Sequence, residues 1–261
     1  MTNSIRILFL LALILPAGLI NGQQQPFISH SEHNPISIIY DENDEKVVAI
    51  AAEALAGDFE LITGVRPIIS ANLEIVNGDA IIVGSLKSKY ISDLTNDQKI
   101  NPSLVKGQWE TYHIQSISNP TRNINRAIVV MGSDKRGTAY GVFHLSEYIG
   151  VSPWYWWADV TPDKKNEVAL PAYNFTSTPP SVKYRGIFLN DECWGLNPWA
   201  SQTFEPEENN IGPRTYAAIF ELLLRLRANF IWPAMHPCTN AFYKNPENPK
   251  TAHDYGIVVG S

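Results

Sequence analysis

Cysteine is scarce in this sequence: Cys193 and Cys238 are the two thiols in 261 residues. Two cysteines cannot supply a four-ligand zinc site, and a disulfide-dense miniature scaffold is excluded. An exported protein could bridge them. A chain of this length needs no staple to hold a core, however, so two unpaired, buried thiols are the expectation. Runs of Lys or Arg are also missing, and the formal net charge is −6, which argues against a nucleic-acid partner. The stretch Gly132-Ser133-Asp134-Lys135-Arg136-Gly137 follows an apolar segment, yet it has neither the P-loop order nor the dinucleotide-binding order of glycines. A tight strand-to-helix turn is its expected role, and neither a cofactor nor a metal is expected. No internal repeat is present, and the only biased tract is Gln23–Gln25. No apolar run reaches the roughly 20 residues a membrane-spanning helix requires.

Hydrophobic residues make up 44% and charged residues 18%, values that build a folded core. At the N-terminus, Arg6 precedes an uninterrupted apolar run from Ile7 to Leu15, which Pro16, Ala17 and Gly18 break. That order of a positive residue, a short apolar segment and small residues predicts a secretory signal over residues 1–22. The mature chain would begin near Gln23, be secreted or periplasmic, and keep no membrane span.

From Ile36 onward strand and helix patterns alternate. Short apolar runs at Ile36–Tyr40, Ile68–Ile69, Ala80–Val83 and Ala127–Met131 predict strands. Trp109–Ile117 alternates polar and apolar residues, as a half-exposed strand does. Val47, Val48, Ala51, Leu55 and Ile62 fall at helical spacing, with Gly64 as the C-cap; a second helix opens at Gly137 and ends at Gly150. These elements predict a small α/β domain over residues 23–177. Four consecutive aromatics, Trp154 to Trp157, follow that helix. A carbohydrate platform and a wedge between two domains are both open, and the wedge is the preferred expectation.

Beyond the stiff connector Ser177-Thr178-Pro179-Pro180 the pattern changes. Val182–Leu189 predicts a strand, a long loop rich in Trp, Asn, Pro and Glu follows, and Pro213 starts a helix with Ile219, Leu222, Leu223 and Leu226 on one side. Asn229–Trp232 and Ile257–Val259 predict two further strands. This succession is how a (β/α)8 barrel opens, and such a barrel needs about 250 residues. Residues 178–261 therefore predict the first units of an incomplete barrel. In parallel barrels the reactive groups sit at strand C-termini. There stand Asn190, Asp191 and Glu192 after the first strand, and Trp232 and His236 at the second, with Trp194 in the long loop. Carboxylates at such positions suit glycosidic acid–base chemistry, which needs two of them about 5–9.5 Å apart, so the second would come from another strand.

Four segments carry a resemblance. Gly132 to Gly141, Ser152 to Asp159, Tyr184 to Glu192 and Leu226 to His236 are similar to the N-terminal part of the family 115 glycoside hydrolases, the alpha-glucuronidases. That resemblance implies an inverting enzyme that removes alpha-1,2-linked glucuronic or 4-O-methylglucuronic acid from xylan, with glucuronoxylan as the polysaccharide partner. It implies catalytic roles for Asp191 and Glu192, and substrate contacts for Asn190, Trp194, Trp232 and His236. A homodimer of the whole protein is entertained, and these 261 residues alone are expected to be inactive. A non-catalytic carbohydrate-binding protein and another glycosidase, such as a hexosaminidase, are the competing readings.

Overall fold

In a computed structural model, residues 25–233 and 236–260 are described; the segment read as a secretory signal lies outside them. The first portion runs β1 (Ile28–Ser31), β2 (Ser37–Tyr40), α1 (Lys46–Thr63), β3 (Ile68–Ser70), β4 (Gly78–Ser85), α2 (Lys89–Asn96), β5 (Tyr112–Ser118), β6 (Ile124–Gly132) and α3 (Lys135–Ile149). After it come β7 (Glu167–Leu170), β8 (Asn174–Thr176), β9 (Gly186–Phe188), α4 (Leu196–Trp199), α5 (Pro213–Arg225), β10 (Phe230–Trp232), α6 (Glu247–Asp254) and β11 (Val258–Val259).

Six strands form one mixed sheet in the order β3-β2-β4-β6-β5-β8, parallel from β3 to β6 and antiparallel at β5. Its central strands are apolar on both faces because helices cover both. Ile38, Ile81 and Ile128 point to the layer of α1 and α3, while Ile39, Ile82 and Val129 point to α2 through Ile91 and Leu94. The glycines act by proximity and by conformation. Gly64 and Gly150 close α1 and α3 with φ of 77° and 110°. Gly137 lets α3 approach the strand edge, since a Cβ there would sit 2.3 Å from the Thr111 carbonyl oxygen. Asp134 caps α3, its Oδ1 accepting from the backbone of Arg136 and Gly137. Gly132 to Gly137 is thus the tight turn the sequence implied.

β9, β10 and β11 make a separate parallel sheet, with Phe230 opposite Gly186 and Val258. α3 packs on α1 and on α5, and one hydrophobic core runs from Ile38 and Phe59 through Phe143 to Phe220 and Ile231. The Trp154–Trp157 tetrad sits at this join. Trp157 donates from Nε1 to the Ala218 carbonyl at 3.2 Å, and the Tyr155 hydroxyl meets Glu221 at 3.4 Å. Two of the four, Tyr155 and Trp157, thus wedge the first portion against α5. No helix among the described residues is long and apolar enough to cross a membrane.

β1 pairs with β7 in a two-stranded antiparallel ribbon, and it buries His30. The ring accepts the Ile36 N–H at Nδ1 (3.2 Å), so Nε2 carries the proton it donates to the Val65 carbonyl (2.9 Å). Burial lowers the pKa of His30 below its ordinary 6.5, partly opposed by that carbonyl. A depressed imidazole stabilises the fold fully above pH 6.5 and loses that contribution as pH falls below it. His30→Gln is therefore expected to show a smaller loss of stability between pH 7.5 and 5.5 than the wild type in urea titrations. Identical pH dependences would remove His30 from this role.

Candidate functional site

The C-terminal ends of β9 and β10 form the rim. The two strands leave no room for a side chain at Gly186, where a Cβ would meet the Phe230 carbonyl oxygen at 1.6 Å. Below them, Asn229 holds the entry of both strands: Oδ1 accepts the Arg185 N–H at 3.0 Å, and Nδ2 donates to the Lys183 carbonyl at 2.7 Å. Above them, Leu189 donates to the Trp232 carbonyl at 2.8 Å before the chains diverge.

The structure treats the six sequence-selected residues unequally. Asp191 is 2% exposed. Its Oδ1 accepts the His236 backbone N–H at 3.2 Å, and its Oδ2 accepts the Thr239 hydroxyl. A carboxylate at the end of β9 therefore holds the loop after β10 in shape. Glu192 is half-buried, and no hydrogen bond or ion pair engages its carboxylate among the described residues. Asn190 is exposed at the strand end. Trp194 is 80% exposed and meets the His236 ring edge-on at 6.1 Å. Trp232, 43% exposed, lies beside Phe188 with ring centroids 6.3 Å apart. The rim thus brings Asp191, Trp194 and His236 together, while Trp232 belongs to an aromatic face with Phe188.

One expectation is overturned. Cys193 and Cys238 are bonded to each other, and Cys193 is exposed rather than buried. Neighbouring parallel strands put the two loops side by side, with Cα atoms 5.9 Å apart, although 45 positions separate the residues in sequence. His236 Nδ1 lies 3.6 Å from Cys238 Sγ and 3.7 Å from Cys193 Sγ. Such a trio would suit a soft metal if the sulfurs were thiolates, but sulfurs joined to each other offer none.

Sequence reasoning missed Thr239, Phe188 and the group that holds the sheet's lower edge. Glu110 is 2% exposed and accepts from Arg136 Nε at 2.5 Å, Asn229 Nδ2 at 2.6 Å and Arg185 Nη2 at 2.5 Å. Nothing local marks it, since its partners are distant in sequence. The one available sign was the acidic residue itself, standing between polar Gln108 and Thr111.

Fold and rim define the class: an α/β protein in which a covered mixed sheet supports an open parallel sheet with acidic, aromatic strand-end loops stapled by a disulfide. Residues 177–261 match the model of glycosyl hydrolase family 115, and that segment belongs to the family. A solved structure described as a family GH115 4-O-methyl-alpha-glucuronidase with specificity for decorated arabinogalactans is similar at 40% identity and a TM-score of 0.76. The likeness covers 90% of this chain and 29% of that enzyme, so the chain spans under a third of the enzyme's length. A GH138 enzyme targeting pectin rhamnogalacturonan II matches at 12% identity and a TM-score of 0.47, over 85% of this chain and 24% of its own. A GH20 exo beta-N-acetylglucosaminidase from Vibrio harveyi matches at 10% and 0.46, over 90% of this chain and 34% of its own. Neither of these two carries an argument about function. No curated protein matches the chain.

Proposed function

We propose that the protein is an exported alpha-glucuronidase that hydrolyses (4-O-methyl-)glucuronic acid from a decorated polysaccharide, glucuronoxylan or arabinogalactan, with inversion. The observation that carries this is the 40% identity to a glucuronidase over 90% of the chain. In this reading β9, β10 and β11 are the opening strands of a (β/α)8 barrel, and residue 177 divides it from the α/β domain. The Cys193–Cys238 bond supports export, since disulfides persist in oxidising compartments. Asp191 and Glu192 remain the acidic pair of the rim, with different tasks. Glu192, whose carboxylate no protein donor occupies among the described residues, is the proton-transfer group. Asp191 positions His236 and its loop. Asn190, Trp194, Trp232 and His236 contact the sugar.

The test is uronic acid release from both polysaccharides, using a chain as long as the enzyme relative. Glu192→Gln is expected to lower turnover by about 10²-fold or more, the usual worth of a general acid or base, with an unchanged melting temperature. Asp191→Ala should lower both, because it unties the loop. Release of N-acetylhexosamine without uronic acid would overturn the assignment, and so would full turnover in Glu192→Gln.

A further inference from the structure

Away from the rim, Trp156 stands between two cavities of about 270 and about 690 Å3, and Tyr155 and Trp157 border both. The smaller runs along α5 past Phe204 and Glu221; the larger is bounded by Asp159, Leu196 and Trp199. Tyr155 and Trp157 are occupied in joining the first portion to α5. Trp156 is not: its indole N–H has no acceptor among the described residues, and 39% of it is open to solvent. Its ring is nevertheless fixed, held edge-on by Trp157 at 4.9 Å, Phe204 at 5.2 Å and Trp199 at 5.9 Å.

The polar groups around it are acceptors. Glu221 Oε1 takes Arg225 Nε at 2.8 Å, while its Oε2 has no donor among the described residues. Arg225 is the one cation lining either cavity, and its three nitrogens are already engaged by Glu221 and Asp58. A fixed, partly exposed indole in a cleft that is also lined by a carboxylate acceptor matches the C–H face and hydroxyl donors of an uncharged pyranose. A uronate would find like charge and no free cation.

We propose that this cleft is a second carbohydrate site, binding one neutral pyranose unit of a polysaccharide against Trp156, with hydroxyls donated to Glu221. The proposal rests on the polysaccharide reading above and adds a site outside the rim. Gly195 and Leu196, which wall the larger cavity, follow Trp194 in the rim loop, so a glycan seated here adjoins the rim.

Calorimetric titration of the full chain with xylohexaose, and separately with 4-O-methylglucuronosyl xylotriose, tests it. Trp156→Ala is expected to weaken xylohexaose about tenfold, the equivalent of 1.4 kcal/mol. Trp156→Phe keeps the ring packing and should bind within about threefold of wild type, which separates lost stacking from a lost fold. Wild-type affinity in Trp156→Ala would overturn the site, as would no xylohexaose binding by the wild type. Should the decorated probe bind and respond only to Trp232→Ala, the cleft fails and the glucuronidase reading stands. If wild type binds neither probe, the cleft fails, and the glucuronidase reading is decided by uronic acid release from the longer chain.

Discussion

Arg225→Met is expected to cost the fold about 3–5 kcal/mol, the usual consequence of stranding one member of a buried ion pair. Arg225 is 6% exposed on α5, and Asp58 is 2% exposed in the middle of α1. Nη1 and Nη2 each reach an Asp58 oxygen at 2.9 Å. The guanidinium also lies 4.7 Å from the Phe143 ring and 4.8 Å from the Tyr155 ring, so its packing is lost with its charge. Burial disfavours the Arg225 charge, but the Asp58 and Glu221 carboxylates together outweigh it and hold the guanidinium protonated. Burial also pushes the Asp58 carboxyl upward, with Arg225 opposing it. Without Arg225 that opposition vanishes. Asp58 then folds as a neutral acid, whose stabilisation is fully present below its unfolded value and is lost as pH rises through its raised folded value. The variant should therefore be more destabilised at pH 8 than at pH 5. Asp58→Leu combined with Arg225→Met should regain most of the loss, because two apolar groups need no partner. Urea denaturation of the four proteins of this cycle measures it, and a single-variant cost under 1 kcal/mol would refute the account.

Glu110→Ala is expected to be of similar size, about 3–5 kcal/mol, because it leaves two arginines without their carboxylate. Its consequences travel further. Arg136 stands on α3 and also donates to the Gly256 carbonyl at 3.0 Å, just before β11. Arg185 and Asn229 stand just before β9 and β10. One buried carboxylate thus fixes the entry of all three strands whose far ends carry the rim. Glu110 also has φ of 51°, in the left-handed region. Glu110→Gly relieves that backbone strain, so its difference from Glu110→Ala isolates the strain and leaves the remainder to the carboxylate. Amide exchange in Phe230–Trp232 should speed up in both variants. Unchanged protection there would separate Glu110 from the second sheet.

Much of the fold was legible because it is local. The 3.6-residue spacing of Val47 to Ile62 became α1 with its glycine cap, and Pro213 opened α5 where expected. Expected strand ends moved both ways: Ala80–Val83 and Ala127–Met131 lengthened to Gly78–Ser85 and Ile124–Gly132, while others shortened. Val182–Leu189 shrank to Gly186–Phe188, because the Arg185 side chain turns back to the Val182 carbonyl and to Arg227. β1 and β7 went unread: four-residue strands that pair across more than a hundred positions leave no periodic trace. α2 and α6, eight residues each, were likewise too short to register. At the rim, the residues were legible and their tasks were not. Asp191 stood out as an acid at a strand end, but its burial against Thr239 depends on a loop that begins after β10.

By itself the sequence determined what neighbours along the chain decide: apolar period, capping glycines, the connector after residue 177, and acidic and aromatic residues where strands end. Tertiary structure alone decided which of those residues are tied up. Cys193 met Cys238 because β9 and β10 pair side by side, and Asp58 met Arg225 and Glu110 met three partners because packing of α1, α3 and α5 brings distant segments within hydrogen-bond reach. Such a bond depends on a few tenths of an ångström, and no spacing in the chain encodes that distance.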